Sequence, residues 1–504
     1  LSHPTPRRLP DRLAASVVFF AAAAVLVLEV VGLRLVGPYI GVTLQTSSAV
    51  IGVSLGAIAY GAWTGGWLAD RADPRRLLPP AFLAAAAATA VTLPVVRWAG
   101  ELLRGSAASG ILTLAALAVF VPAALLSAIA PIVVKLQLSD VNHTGRVVGK
   151  LSSIGTLGGI TATFVTGFIL VAALPTSAIL LTLASLLAVS GFALYGYLRR
   201  SDAGTTLGGR GRRTAAVAVI GLAGVGLTTV APNPCDIETA YHCARVEADA
   251  HRPSGRVLYL NSARHSYVDL ADPRHLEFAY AQWMGAFIDL SAPAGTPLRG
   301  LHLGAGGVTL PRYVEATRPG SFGRVLEIDG DLIELDRAKL GLTTGPSLDV
   351  VVGDARISLS RERSGSYDLV VGDAFGHLAV PWHLTTREFV GDIRRVLRPG
   401  GAYALNVIDY PPARLIRAEL ATVATVFAHV ALVAPQAAID DQRGSNFVVL
   451  ASDAPLPVDQ LRPRLAALAQ PVVLLDGSAL TSYIGDAMTL TDDFAPVDQL
   501  LQHL

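Results

Sequence analysis

The chain has 504 residues, of which 52% are hydrophobic and only 16% charged, with Lys+Arg 40 against Asp+Glu 39. That apolar share excludes an ordinary soluble globular protein, and the length asks for more than one domain. A net charge of +1, with arginine carrying nearly all the positive charge and no basic–aromatic stripe, speaks against a nucleic-acid partner.

Apolar stretches near 13–36, 47–69, 77–96, 108–134, 152–173, 176–198 and 214–231 predict a transmembrane domain over 1–231 with about seven helices. The last stretch is the shortest and is rich in small residues. The first is long, lacks a small-residue cleavage site and is followed by further spans, so it reads as an anchor rather than a cleaved signal peptide. Glycine-rich stretches at 52–66 and 155–167 predict close helix packing. Glu29 and Arg34 fall in or beside the first apolar run. Charges at membrane depth suggest function; the alternatives are that both snorkel to the interface or pair with each other.

Arginine-rich loops stay cytoplasmic. Arg7, Arg8 and Arg12, then RADPRR (71–76), then Lys135, Arg146 and Lys150, then Arg199, Arg200, Arg210, Arg212 and Arg213 share one side if the N-terminus is inside. Seven crossings then put 232–504 outside the cell membrane. Cys235 and Cys243 stand alone and close together, so they form either one small-loop disulfide in an oxidising compartment or two inert thiols. No metal-ligating pattern accompanies them. If 214–231 does not cross, the C-terminal part is cytosolic instead.

Residues 232–297 read as a linker and a small β-domain. RVEADA (245–250), RVLYLN (256–261) and SYVDLA (266–271) are short strands. The spacing of Leu276, Ala279, Tyr280, Trp283 and Phe287 predicts one amphipathic helix over 275–290. From 298 to 504 strands and helices alternate, which argues for a doubly wound α/β sheet. Helices are expected near 309–317, 330–340, 385–396 and 411–427. RPGG (398–401) reads as a turn before a strand at 402–408, and further strands are expected near 429–434 and 446–451.

Within this part, LHLGAGG (301–307) is a buried strand running into a glycine turn. RVLEID (324–329), DVVVGDAR (349–356) and YDLVVGDAF (367–375) are strands ending in acids. Ligands of open parallel sheets lie beyond the carboxyl ends of the strands. Glu327 is placed to accept hydrogen bonds from a ribose diol, Asp354 to meet an adenine amino group, and Asp373 lies on the same rim. The alternative for such acids is helix N-capping, for which Asp329 is the candidate.

The glycine turn and these acids make residues 245–451 resemble the spermidine synthase (polyamine aminopropyltransferase) family. LEVVGLRLVGPYIG (28–41) and GWLADRADP (66–74) resemble its membrane-fused version. The resemblance implies a small β-domain followed by a Rossmann-like, methyltransferase-type sheet. Gly304, Gly306 and Gly307 would cradle the nucleoside, and Asp373 falls at the family's catalytic aspartate. The implied donor is decarboxylated S-adenosylmethionine, the acceptor a polyamine such as putrescine, with no metal. Soluble relatives form dimers or tetramers, so a homo-oligomer is a further expectation.

Two acids of the family pattern are missing. The turn GAGGVTL carries no aspartate, and Gly376 stands where a second one belongs. His377 and His383 in the adjoining loop are candidates to replace a base, or are surface residues. Tyr267 and Trp283 either line an amine channel or belong to the core. Three readings follow: an aminopropyltransferase, an S-adenosylmethionine-dependent methyltransferase acting on a lipid or envelope molecule, and a non-enzymatic transporter or sensor with a degenerate nucleoside site.

Overall fold

Long apolar runs become long helices, because a backbone in lipid must satisfy its own hydrogen bonds. The computed structural model describes residues 8–106, 108–138, 144–201, 210–376 and 380–501. The chain divides into two units. One is Leu1–Arg245 with Leu260–Ala263; the other is Val246–Tyr259 with Arg264–Leu504.

The first unit is helical. It contains α1 (Asp11–Ile40), α2 (Leu44–Arg71), α3 (Pro74–Leu102), α4 (Ala108–Ser127), α5 (Ile129–Gln137) and α6 (Thr144–Val165). A π-helical turn (Thr166–Leu170) leads into α7 (Val171–Ala173), then α8 (Thr176–Ser201) and α9 (Arg210–Thr228). Among the described residues, six stretches are long and apolar enough to cross a membrane: α1, α2, α3, Ala108–Gln137, Thr144–Ala173 and Thr176–Arg200. The seventh expected span coincides with α9, of which Val219–Thr228 is apolar among the described residues.

The glycine-rich stretches bring helices into backbone contact. A Cβ on Gly61 would lie 2.1 Å from the Ala124 carbonyl oxygen on α4, and one on Gly158 2.4 Å from that of Phe19 on α1. The shorter helix α9 runs alongside α3 in the same direction. Gly221 faces Ala87 and Gly224 faces Val91, and Arg97 donates to the Thr228 carbonyl at 3.3 Å.

Beyond α9, strand β1 (Ile237–Glu238) belongs to a segment seated on helix ends. Arg34, near the end of α1, donates to the carbonyls of Thr239 and of Ala240, the latter at 3.0 Å. Glu238 accepts the amide of Thr176, the first residue of α8, at 2.5 Å. Cys235 and Cys243 are joined in a disulfide, their Cα atoms 5.2 Å apart. The alternative that Arg34 pairs with Glu29 is therefore corrected. The guanidinium reaches backbone carbonyls at the helix ends, while Glu29 lies back within α1 beside Ser54.

Strands β2 (Cys243–Ala248), β3 (Gly255–Leu260) and β4 (Ala263–Asp269) follow β1 in a small sheet of that order. Helix α10 (Ala279–Ile288) comes next and is shorter than the apolar spacing predicts. Residues 275–278 stay outside it. Gln282 donates its side-chain amide to the Leu276 carbonyl at 2.7 Å, and His275 bonds to Glu277 at 3.1 Å.

The large sheet then alternates with helices: β5 (Arg299–Leu303), α11 (Thr309–Thr317), β6 (Phe322–Glu327), α12 (Gly330–Lys339), β7 (Leu348–Val352), α13 (Ala355–Ser360), β8 (Tyr367–Gly372), α14 (Arg387–Val396), β9 (Leu397–Asp409) and α15 (Arg414–Ala424). Strands β10 (His429–Ala434), β11 (Ser445–Ser452) and β12 (Val473–Leu475) complete it. The spatial order is β12-β10-β11-β9-β8-β5-β6-β7. The strands from β9 to β7 are parallel, and β11, β10 and β12 join antiparallel at the other end. This is an α/β sheet of the Rossmann-like type, with its switch of direction between β5 and β8.

Alternate residues of the buried strands serve opposite faces. Leu369 and Val371 pack with Trp283, Phe287 and Val314 on one face, and Val370 with Leu359, Phe389 and Leu420 on the other. RPGG is not a turn ahead of the strand but an irregularity inside β9. Tyr367 pairs with Leu397 and Leu369 with Ala402, so the intervening residues loop out of register. Gly400, at φ +80°, permits the excursion.

Candidate active site

The parallel ladder continues a little past the strand ends and aligns the acids. The Gly304 amide donates to the Leu326 carbonyl at 2.9 Å, the Asp373 amide to Leu303 at 3.0 Å and the Gly353 amide to Glu327 at 2.8 Å. Gly304 has φ +89°, and a Cβ there would lie 2.6 Å from the Asp373 carbonyl oxygen. Only glycine lets the turn close onto the end of β8. Gly306 has φ +48°, and a Cβ there would touch Ser266 at 3.5 Å, while a Cβ on Gly307 would press on Val268 at 2.8 Å.

Asp373 sits at the switch point. Tyr280 donates its hydroxyl to one carboxylate oxygen at 3.0 Å, and the side-chain amide of Asn406 donates to the other at 2.9 Å. Asn446 donates in turn to the Asn406 side-chain oxygen at 3.0 Å, which fixes the orientation of that amide. Burial pushes the Asp373 carboxyl above the usual carboxylate range, against the lowering influence of Asn406, His265 and Tyr280. Burial also pushes the His265 imidazole below its ordinary value, with Asp373 opposing. The Tyr280 phenol is raised by burial and then by the Asp373 charge.

Asp373, Tyr280 and His265 line a cavity of about 30 Å³ together with Glu277, Gly304, Gly306, Thr309 and His302. That volume suits a water or an amino group. Glu277 is exposed at its edge. His302 is buried, neither ring nitrogen has a partner among the described residues, and burial pulls its pKa down to about 3, so it is neutral.

Glu327 is 7% exposed. One carboxylate oxygen accepts the Ala305 amide at 2.7 Å and the other the Asp329 amide at 2.8 Å. It thus ties the glycine turn to the end of β6. Burial raises its pKa, and the amides of Asp329 and Ala305 pull the other way. Asp329 caps α12 through the Leu332 amide at 3.2 Å. Asp354 is an N-cap as well, accepting the Ile357 amide at 3.0 Å, while its second oxygen meets His383 at 3.1 Å. That bond holds His383 on Asp354, and His383 is not among the residues lining the Asp373 cavity. His377 lies outside the described residues.

The two aromatic candidates separate. Tyr267 borders the cavity, but its hydroxyl is directed to Asp249 at 2.8 Å. Trp283 is corrected to a core residue. It is 2% exposed and packs with Met284, Phe287 and Leu465. Burying its large apolar surface outweighs leaving its indole nitrogen without a partner among the described residues. Sequence reasoning missed Tyr280, His265, Glu277 and Asn406 as site residues. The apolar spacing puts Tyr280 on the core face of a helix, and nothing local marks Asn406 within a buried strand.

No family model matches the chain. A polyamine aminopropyltransferase from Vibrio vulnificus is 28% identical over 217 residues, covering 40% of this chain and 70% of that protein. A polyamine aminopropyltransferase from Chromobacterium violaceum is 29% identical over 153 residues, covering 30% of this chain and 57% of that protein. Among solved structures, a probable spermidine synthase from Corynebacterium glutamicum is 29% identical with a TM-score of 0.48, covering 52% of this chain and 96% of that one. The relatives carry the family name that the glycine turn and the strand-end acids suggest.

Proposed function

We propose that the α/β unit is an aminopropyltransferase-like transferase that moves an aminopropyl group from decarboxylated S-adenosylmethionine to an amine such as putrescine. The observation that carries this reading is Asp373, a half-buried carboxylate at the switch point, held on both oxygens by neutral donors beside a glycine turn. The residues suit a sulfonium nucleoside. Gly306 takes a positive φ that favours glycine where the turn meets the cavity, and the Glu327 carboxylate keeps acceptor capacity for a ribose hydroxyl. Asp354 keeps acceptor capacity for an adenine amino group.

The donor, when bound, supplies an electrophilic methylene and a neutral thioether leaving group. The protein's part is positioning and proton handling. Asp373 accepts an N–H of the incoming amine and takes the proton released as the nitrogen bonds to carbon. Tyr280 and Asn406 fix the direction of that carboxylate. His265 lines the same cavity, where burial opposes its carrying a proton. Glu277 supplies a second carboxylate at the cavity edge, where the glycine turn and Gly376 lack one.

The same missing acids favour methyl transfer from S-adenosylmethionine as the second reading. Calorimetric titration of the purified full chain separates them. Binding of the decarboxylated donor, with turnover in the presence of putrescine, is expected. Preference for S-adenosylmethionine moves the assignment to a methyltransferase, and binding of neither removes both.

We also propose that the chain is a multi-pass cell-membrane protein with a cytoplasmic N-terminus and an extracytoplasmic α/β unit. The arginine bias of the loops and the Cys235–Cys243 disulfide support this, and it requires the donor to be supplied on that face. Labelling with an impermeant maleimide in intact cells, expected only after reduction, tests it. Failure to label after reduction refutes it.

A further inference from the structure

The helical unit holds its own cavity, of about 490 Å³, within the range of ligand pockets. Its walls come from α1 (Val18, Val25), α2 (Ile58), α5 (Val134) and α6 (Leu151), and small residues such as Gly66 leave the width between them. Asp70, at the end of α2, and Lys135, on α5, are the charged lining residues. They form an ion pair of 2.7 Å, with side chains 67% and 49% exposed, so they stand at the mouth.

The depth follows from helix geometry. Ile58 and Asp70 both line the cavity and lie twelve residues apart on α2, which at 1.5 Å per residue is about 18 Å. Half of the bilayer hydrocarbon core is about 15 Å. The cavity is therefore as deep as one leaflet, mostly apolar with the hydroxyls of Ser127, Ser152 and Thr156 in its lining, and marked at its opening by one charge of each sign.

We propose that this cavity binds one acyl chain of an aminophospholipid, with the headgroup phosphate on Lys135 and the ammonium on Asp70. The ion pair opens to admit the headgroup and exchanges one pair of opposite charges for two. An exposed pair of this kind is screened by solvent and holds itself together only weakly. An anionic headgroup without an ammonium would leave Asp70 facing a phosphate. A choline headgroup carries the charge but no N–H to donate. The occupant this rim selects is thus a phosphatidylethanolamine-type lipid.

The test uses the full chain in detergent, stripped of lipid and then offered phosphatidylethanolamine, phosphatidylglycerol or phosphatidylcholine, with bound lipid read by native mass spectrometry. One phosphatidylethanolamine per chain is expected, bound about tenfold more tightly than the other two, the scale of one charge-assisted hydrogen bond. A Cβ on Gly66 would have only Pro131 nearby, at 3.9 Å, so Gly66→Leu directs its side chain into the cavity and should abolish retention. Asp70→Asn should remove the preference over phosphatidylglycerol. It changes only an exposed rim residue, so it decides the matter if Gly66→Leu fails to fold. Absence of bound lipid in the unaltered chain, full retention by folded Gly66→Leu, or an unchanged headgroup preference in Asp70→Asn would overturn the proposal.

Discussion

Replacing Asp373 by asparagine changes one atom and one charge in a site whose contacts can largely persist. Asn406 donates to one Asp373 oxygen and Tyr280 to the other. In Asp373→Asn the remaining side-chain oxygen still accepts from Asn406, and the new amide can donate to the Tyr280 oxygen with the phenol turned round. The fold should survive, and because burial penalises the carboxylate, stability should stay equal or rise. What is lost is the base. A positioned proton acceptor contributes about 10²–10⁴-fold, or about 2.7–5.5 kcal/mol of barrier. The assay is turnover of decarboxylated S-adenosylmethionine with putrescine, alongside calorimetric affinity for the nucleoside. The expected result is a fall in kcat of that size with nucleoside affinity within a few-fold. A kcat within about threefold of the unaltered chain would remove Asp373 from the mechanism.

The pH dependence of kcat should show an acidic limb above the ordinary carboxylate range, because burial raises the Asp373 pKa. Tyr280→Phe and Asn406→Ala each remove a donor to the carboxylate and should move that limb further up, whereas a purely structural role would lower the rate at all pH values alike. Glu327→Gln should weaken nucleoside binding by about 1.5–3 kcal/mol, the scale of a hydrogen bond to a charged group, measured by calorimetry; unaltered affinity rejects the ribose contact.

Asp336 is fully buried, neither oxygen has a partner among the described residues, and burial raises its pKa from 3.8 to about 8. The folded state therefore keeps a proton that the unfolded chain loses near pH 4. Stability from this group is fully present below pH 4 and is lost as pH rises toward about 8. Asp336→Asn should flatten that loss in thermal melts at pH 5.5 and pH 8, and an unchanged slope would refute the assignment.

Much of the architecture is legible in the sequence, because it rests on short-range periodicity. Runs of about twenty apolar residues can only be helices in lipid. Helix α11 occupies the predicted 309–317, and β10 the predicted 429–434. The rim of acids was legible for the same reason: Glu327, Asp354 and Asp373 each close an apolar strand, and parallel strands of one sheet end on one side. What the local pattern could not carry was who meets whom. Tyr280 reaches Asp373 across 93 residues and Asn406 across 33. Arg34 finds Thr239 and Ala240 more than 200 residues away. Trp283 went to the core and Asp354 to a helix cap because burial and unsatisfied amides claimed them first. Periodicity assigns a residue to a face, but only the closed fold decides which distant polar group shares that face. At Asp373, where burial makes an unpaired charge costly, those distant partners give the carboxylate its direction and its chemistry.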